Sequence, residues 1–554
     1  MLQGSAFVRR EPSRVRRWAA RADLFLLWTL VFAVAHTQAP LYYSNQNQYF
    51  LHGLARGGLG FLDHDWLAGT ADPTPLFSAL VALTYRYLHP ALFYAYYVII
   101  LGVYLHSCLG IFTALTGAAP GSSLRLGFLT LFTALHAGLL RLASVRLCGV
   151  DYPWFLQAGV AGQYVLGPGL QPSTFGVLLL LSLYAFLRDR PFLAVTCSVL
   201  AAVLHGTYLL GAALFTLAYL GVLWHEGRGR SALWLGAWGL LLVLPAVAYH
   251  LLAFAPTTPE QFAEAQRILV ELRIPHHAVP ARWLDRIAML QVVWMLSSIL
   301  LTRGSRLFAV LLTVFGLSLL LTLLQRATGN PSLALLFPWR TSAILVPVAT
   351  TVILARLLQW TVPWVTQGPS RRERSFQAAC VIVLAVAVVG GVVLSEEGWA
   401  YHFNPAETQL LEYVRTHKQE GDVYLLPVAI PKMVAGTTGV PSTSFTPPPT
   451  RREGGHLIAV DLQRFRLATG APIVVDFKAI PYKDVEVLEW RERLEVVQGL
   501  YEQSDWDRPE VRAALARYGV THIVVPADCA IHSTALEKLH EDEHYRLYRL
   551  RGVR

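Results

Sequence analysis

Charge is scarce in this sequence. Only 15% of its 554 residues are Asp, Glu, Lys or Arg, against 54% hydrophobic residues, and the mean hydropathy is +0.43. An ordinary soluble domain carries about 25% charged residues. The composition therefore excludes a soluble enzyme and, with many long apolar runs, describes a polytopic membrane protein. Cysteine is scarce too. Cys108, Cys148, Cys197 and Cys380 lie in or beside apolar runs and only Cys529 falls in the polar C-terminal region, which excludes a disulfide framework and a zinc spacing. Phosphate-binding glycine loop, nucleophile elbow and metalloprotease signature are all missing, so NTPase, α/β-hydrolase and zinc-peptidase chemistries have no sequence support. No acidic residue sits well inside an apolar run, and no pair of matched broken helices repeats, which argues against a transporter.

What charge there is has a place. The formal net charge of +10 would suggest nucleic acid in a soluble chain, but here the basic residues sit in short loops, where they orient a membrane protein. Membrane lipids and their phosphates are the expected anions, and nucleic acid is not an expected partner. Arg9, Arg10, Arg14, Arg16, Arg17 and Arg21 precede the run 24–35, which reads as a retained first helix with a cytoplasmic N-terminus because no small-residue cleavage site follows. Further spans are expected at 91–115, 126–141, 172–187, 191–206, 207–224, 232–254, 286–302, 306–324, 336–359 and 376–395, about eleven in all. Loops 116–125, 188–190, 225–230, 303–306 and 356–374 all contain arginine and become cytoplasmic. Parity then requires that 75–88 not cross.

The stretch Tyr42 to Pro75, YYSNQNQYFLHGLARGGLGFLDHDWLAGTADPTP, is too polar to span and too aromatic for an idle linker. Apolar residues at Tyr49, Phe50, Leu51, Leu54 and Leu59 predict a short interfacial helix over 46–59. Asp63, His64, Asp65 and Asp72 follow. Four other stretches share its side of the membrane: 141–172, read as a re-entrant segment; the turn at His205; 255–286, with Glu264, His276 and His277; and 330–340, ending in Phe337-Pro338-Trp339-Arg340. From about Asn404 the composition becomes that of a soluble domain of roughly 150 residues. There, helices are expected at 407–418, 483–503 and 509–518, strands at 422–427, 471–477 and 522–526, and a loop at 441–453.

This arrangement resembles the GT-C superfamily of polytopic glycosyltransferases, of the bacterial aminoarabinose and mannosyltransferase kind. In that family the first loop reads Asp-Glu-x-x-Tyr, an amphipathic helix, Gly-Asp-Trp, then a Pro-Pro segment. The matching positions are Asn45-Gln46-x-x-Tyr49, the helix to Leu59, Asp65-Trp66 and Asp72-Pro73-Thr74-Pro75. The resemblance implies a mainly α fold: a transmembrane helical bundle at 24–395 with its outer loop at 41–90, after a basic cytoplasmic segment 1–23, and an extracytoplasmic α/β domain at 396–554. It also implies sugar transfer from a polyprenyl-phosphate carrier on the outer face of a bacterial-type inner membrane.

The resemblance implies further that the first-loop aspartate is the general base, and here Asn45 and Gln46 stand in the acidic pair's places. An amide can hold a hydroxyl or a sugar but cannot take its proton at neutral pH. The expected replacements are Asp65 first, then Asp63 and Asp72, with Glu264 as a partner, although aspartates here can equally serve the turn. Asn45, Gln46, Tyr49, Asp72, His205, His276, His277 and Arg340 are the expected substrate-binding residues. Arg340 suits a phosphate and suits an interfacial anchor equally well; Arg141 and Arg146 suit headgroup or pyrophosphate alike. No cofactor is expected. His276-His277 with Asp63, His64 and Asp65 are ligand types for a divalent metal, but adjacent residues seldom both ligate one ion, and a hydrogen-bonding role is the simpler expectation. The alternative to a transferase is a GT-C-like protein that binds lipid-linked glycans or assists envelope assembly without catalysis.

Overall fold

The computed structural model describes residues 14–401, 403–430, 452–453, 456–457, 462–503 and 505–552. Their architecture is a multi-pass membrane helical bundle followed by a small α/β domain. Among the described residues six helices are long and apolar enough to cross a membrane: Leu92–Thr116, Gly206–His225, Gly229–Ala253, Arg306–Thr328, Pro331–Thr366 and Ser370–Glu396. A seventh span is counted if the pair Ser123–His136 and Gly138–Cys148, bent by 52°, crosses as one. Leu24–His36, Pro172–Leu187, Pro191–Leu204 and Arg286–Leu301 are shorter apolar helices. Each expected run is therefore a helix. The run 126–141 differs in being broken at Ala137, which has extended dihedrals between its two halves.

The short basic loops gather on one face. There Arg228 pairs with Asp189 at 2.6 Å, and Arg306 pairs with Glu226 at 2.5 Å and Asp189 at 3.1 Å, tying three loops together. The long loops and the C-terminal domain gather on the other. Residues 75–88 form the helix Pro75–Tyr87, whose 13 residues reach only roughly 20 Å and do not cross a bilayer core. Segment 149–171 is mostly irregular and buried. Irregular backbone at such depth needs partners from the protein; Val160 N–H donates to Ser342 Oγ at 2.8 Å, and Gln291 Nε2 donates to the carbonyls of Phe155 and Ala158 at 3.1 and 2.8 Å.

The first loop differs from the expected interfacial helix. It forms two short helices, Gln46–Tyr49 and Leu51–Gly57, with Gln46, Asn47, Gln48 and Leu51 to Ala55 buried. The reason is cover from two directions. Helix Pro75–Tyr87 packs so closely that a Cβ on Gly53 would lie 2.6 Å from the Ser78 carbonyl, and the C-terminal domain lies over the loop's other side.

That domain contains a four-stranded sheet in the order Tyr424–Leu425, His522–Pro526, Tyr545–Leu550, Leu536–Glu541, with the first pair parallel and the rest antiparallel. Helices Thr408–His417, Asp484–Glu502 and Pro509–Arg517 fall where periodicity predicts them. The run 471–477 does not join the sheet as a strand: only Ile473 pairs, with Tyr424, because its own N–H donates to Asp65 Oδ2 in the first loop at 3.0 Å. The expected loop 441–453 lies outside the described residues except for Arg452–Glu453.

Loop and domain meet backbone to backbone at one crossing. Phe61 N–H donates to the Gly470 carbonyl at 2.8 Å, and a Cβ on Gly60, at φ +57°, would lie 2.2 Å from that carbonyl oxygen. Gly60→Ala is accordingly expected to lower stability by about 1–3 kcal/mol, read as a lower unfolding midpoint of the full chain in detergent. An unchanged midpoint would show that the crossing can open without cost.

Candidate functional site

A cavity of 330 Å³ lies where the long loops meet the C-terminal domain. The first loop supplies Ser44, Asn45, Gln48 and Tyr49, the irregular segment Gln163 and Tyr164, and the turn between two bundle helices His205 and Thr207. Arg273, His276 and His277 come from the loop that follows Gly229–Ala253, Arg340 from the turn Pro338–Thr341, and Lys478 and Tyr482 from the C-terminal domain. Asn45 Nδ2 donates to Tyr164 Oη at 2.8 Å and Gln48 Nε2 to Tyr482 Oη at 2.9 Å. Each bond closes a gap in the wall between segments far apart in sequence.

The charge here is of one sign. Among the described residues Arg273, Arg340 and Lys478 line the cavity and no carboxylate does. Arg340 donates to Gln163 Oε1 and lies over the Tyr208 ring at 4.9 Å; Arg273 donates to the Lys478 carbonyl at 2.7 Å and lies over Phe477 at 5.5 Å. Neutral contacts position these guanidiniums without neutralising them. Arg273 Nε, Arg340 Nε, Ser173 Oγ, Thr207 Oγ1 and His276 Nδ1 are buried and have no partner among the described residues. A buried unpaired donor costs about 1–3 kcal/mol, more when charged, so several of them around one cavity describe a place for an acceptor-rich anion. Burial, and then the field of Arg273, lowers the Lys478 ammonium to about 8. Burial, then Arg273 and Lys478, lowers His276 to about 4. Burial, then His276, takes His277 well below the usual imidazole range, with the Ala161 carbonyl pulling the other way. Both imidazoles are neutral at pH 7.

Asn45, Tyr49, His205, His276, His277 and Arg340 thus come together in one cavity. Gln46 and Asp72 do not. Gln46 Oε1 accepts from Tyr42 N–H at 2.8 Å and its Nε2 donates to the Leu170 carbonyl at 3.0 Å, which braces the loop. Asp72 accepts from Thr74 N–H at 2.9 Å and Ser78 Oγ at 3.1 Å, and pairs with Arg56 at 2.9 Å, which fixes the start of helix Pro75–Tyr87.

The other carboxylates expected as base or partner, Asp65, Asp63 and Glu264, lie elsewhere too. Asp65 is buried, accepting from Leu67 N–H at 3.0 Å, Ile473 N–H at 3.0 Å and Arg466 Nε at 2.8 Å, while Arg466 also pairs with Asp476. Its oxygens are occupied in joining loop to domain. Its neighbour Trp66 stacks under Arg493 at 4.3 Å. Asp63 is exposed beside His64, and Glu264 is exposed and paired with Arg267 at 2.7 Å. Among the described residues no group of three or more His, Cys, Asp or Glu side chains is placed to hold a metal ion, so the His276-His277 pair and the Asp63 to Asp65 group do not form one site. Arg141 is buried against Asp151 at 2.8 Å, and Arg146 is exposed.

Arg273, Lys478, Gln163 and Tyr164 escape sequence reasoning. Arg273 stands in a loop rich in Glu and Arg, and the one local signal is its closeness to His276-His277. Lys478 carries no signal at all, since only the docking of its domain brings it to the cavity.

A family described as a domain of unknown function, DUF6798, matches residues 450–497. No curated protein matches the sequence. Among solved structures, the crystal structure of ArnT from Cupriavidus metallidurans bound to undecaprenyl phosphate is similar at 11% identity and a TM-score of 0.41, covering 98% of this chain and 99% of that one. A likeness that distant transfers no residue roles.

Proposed function

We propose that this protein is a membrane glycosyltransferase of the GT-C type that takes a sugar from a polyprenyl-phosphate carrier in the cavity between its first loop and its C-terminal domain. The observation that carries this reading is the convergence of Arg273, Arg340 and Lys478 on buried donors that, among the described residues, have no partners and no carboxylate beside them. A phosphate diester supplies acceptor oxygens and a negative charge, and paired guanidiniums bind it by forked contacts. Asn45, Gln48, Gln163 and Tyr164 offer the neutral donors and acceptors that a sugar's hydroxyls require. In this reading residues 24–395 form the catalytic bundle and residues 396–554 the domain that closes it, with the cavity on the extracytoplasmic side of the inner membrane and the N-terminus in the cytoplasm. The runner-up, a GT-C-like protein that holds lipid-linked glycans without transferring sugar, is favoured by one observation, that no carboxylate lines the cavity among the described residues.

Binding and turnover separate the two. Full-length protein in lipid discs is offered polyprenyl phosphate and a panel of polyprenyl-phosphate sugars, and release of the carrier phosphate is measured. Binding with release supports the transferase; binding without release supports the holding protein; failure to bind polyprenyl phosphate sinks both. The affinity should also depend on pH in a defined sense. Lys478 titrates near 8 in the free protein, so its positive charge is present below that value and lost above it. Affinity for the phosphate is expected to fall as pH rises through about 8, and Lys478→Met to weaken binding at neutral pH and remove that fall. An unaltered pH dependence in the variant would assign the fall to another group.

A further inference from the structure

We propose that His277 is the general base of the transfer reaction, standing in for the acid that Asn45 has replaced. This rests on the transferase reading and adds to it the group that takes the acceptor's proton. Three features of the geometry carry it. First, His277 Nδ1 lies 2.6 Å from the Ala161 carbonyl. A carbonyl only accepts, so Nδ1 carries the proton and Nε2 carries the lone pair. Second, Nε2 has no partner among the described residues, and the ring lines the cavity together with Asn45, Gln163 and Arg340. A backbone carbonyl that fixes the tautomer and leaves the opposite nitrogen unprotonated, on a ring that lines the cavity, is the arrangement a histidine base requires. Third, none of the carboxylates named above reaches the lining.

The step balances without a further reactant. An acceptor hydroxyl gives its proton to Nε2 as its oxygen bonds to the sugar's anomeric carbon. The bond from that carbon to the phosphate oxygen breaks, and its electron pair leaves with the carrier phosphate, which Arg273, Arg340 and Lys478 hold. The imidazolium then returns its proton to that phosphate or to water. The groups facing His277 are the cations Arg340 and Arg273 with Lys478 beyond them, the neighbouring ring of His276 with its centroid 4.0 Å away, and the neutral Tyr164 and Gln163. In the empty cavity burial first, then the ring of His276, and then the cations Arg340 and Arg273 hold His277 far below its ordinary range. A bound phosphate offsets the part of that shift the cations supply, so seating the donor raises the basicity of His277.

The test uses full-length protein in lipid discs with the panel of polyprenyl-phosphate sugars, following carrier release, and His277→Ala as the variant. Release is expected to fall about 10²–10⁴-fold while binding of polyprenyl phosphate persists, and added imidazole is expected to restore part of the rate. In wild type, the acidic limb of kcat should lie at higher pH than that of kcat/KM, because the first reports the donor-bound protein and the second the free one. Release in His277→Ala within a few-fold of wild type overturns the base assignment and leaves the transferase standing. Loss of release together with lost phosphate binding, and no rescue by imidazole, makes His277 structural and also overturns it. If wild type binds polyprenyl phosphate but releases nothing from any donor, the transferase reading falls and the base with it.

Discussion

Replacing Arg340 by glutamine is expected to weaken polyprenyl-phosphate binding about 10- to 150-fold, and replacing Arg273 as well to abolish it at micromolar protein. The magnitude follows from what the guanidiniums lack. Each is held by neutral partners, Gln163 and the Tyr208 ring for Arg340, the Lys478 carbonyl and the Phe477 ring for Arg273, and each keeps a buried Nε–H with no acceptor among the described residues. A hydrogen bond to a charged group contributes about 1.5–3 kcal/mol, and each 1.4 kcal/mol is tenfold in affinity. The neutral isostere keeps much of the side chain's bulk while removing charge and fork. Binding to lipid discs carrying polyprenyl phosphate, against discs without it, reads the effect; affinity unchanged in the double variant would place the phosphate outside this cavity. The same variants should leave thermal stability near wild type or above it, since an unpaired buried cation costs the folded state rather than supporting it.

Arg466→Met is expected to act in the opposite domain of effects, on stability and not on affinity. Arg466 is buried between Asp65, 2.8 Å away, and Asp476. Removing it strands two carboxylates in a site closed to water, and breaking a buried pair in this way costs about 3–5 kcal/mol. The variant's pH dependence has a fixed sign. Burial already raises Asp476 in wild type against the field of Arg466, and with Arg466 gone burial and the neighbouring Asp65 raise its folded-state pKa further above the unfolded value. The penalty is therefore full at neutral pH and shrinks as pH falls through the raised pKa, when one carboxyl takes up a proton and can donate to the other. Unfolding midpoints of the full chain between pH 7 and pH 5 should converge toward wild type at the acid end. A variant as stable as wild type at pH 7 would show that loop and domain are joined by other contacts alone.

How legible these features are in the sequence depends on how far apart their partners lie. The bundle is legible because each span carries its own evidence: a run such as 306–324 must be a helix to hide its backbone from lipid, whatever the rest of the chain does. The helix Asp484–Glu502 and the strand His522–Pro526 follow in the same way from local periodicity and a β-branched run. The hairpin Leu536–Glu541 with Tyr545–Leu550 is missed because its charged residues pair across the two strands, Glu537 with Arg549 and Glu541 with Arg546, which hides the apolar alternation that marks a strand. Asp65 is misread for a stronger reason. Its partner Arg466 is 401 residues away, and from one side alone a buried structural aspartate beside a tryptophan cannot be told from a catalytic one. That His205, His277 and Arg340 line one cavity is legible, because aromatic and imidazole side chains beside a membrane stand out against loops that have no need of them.

The bond from Gln48 to Tyr482 joins residues 434 positions apart, and with Lys478 it makes the last part of the cavity wall. This gives the protein an order of birth. A chain synthesised from its N-terminus inserts its helices and displays Asn45, Tyr49 and Arg340 long before Lys478 and Tyr482 leave the ribosome. Until then the basic pocket stands open on one side and lacks one of its charges. Under the function proposed above, half-made copies are expected to hold the carrier phosphate more weakly than finished molecules do.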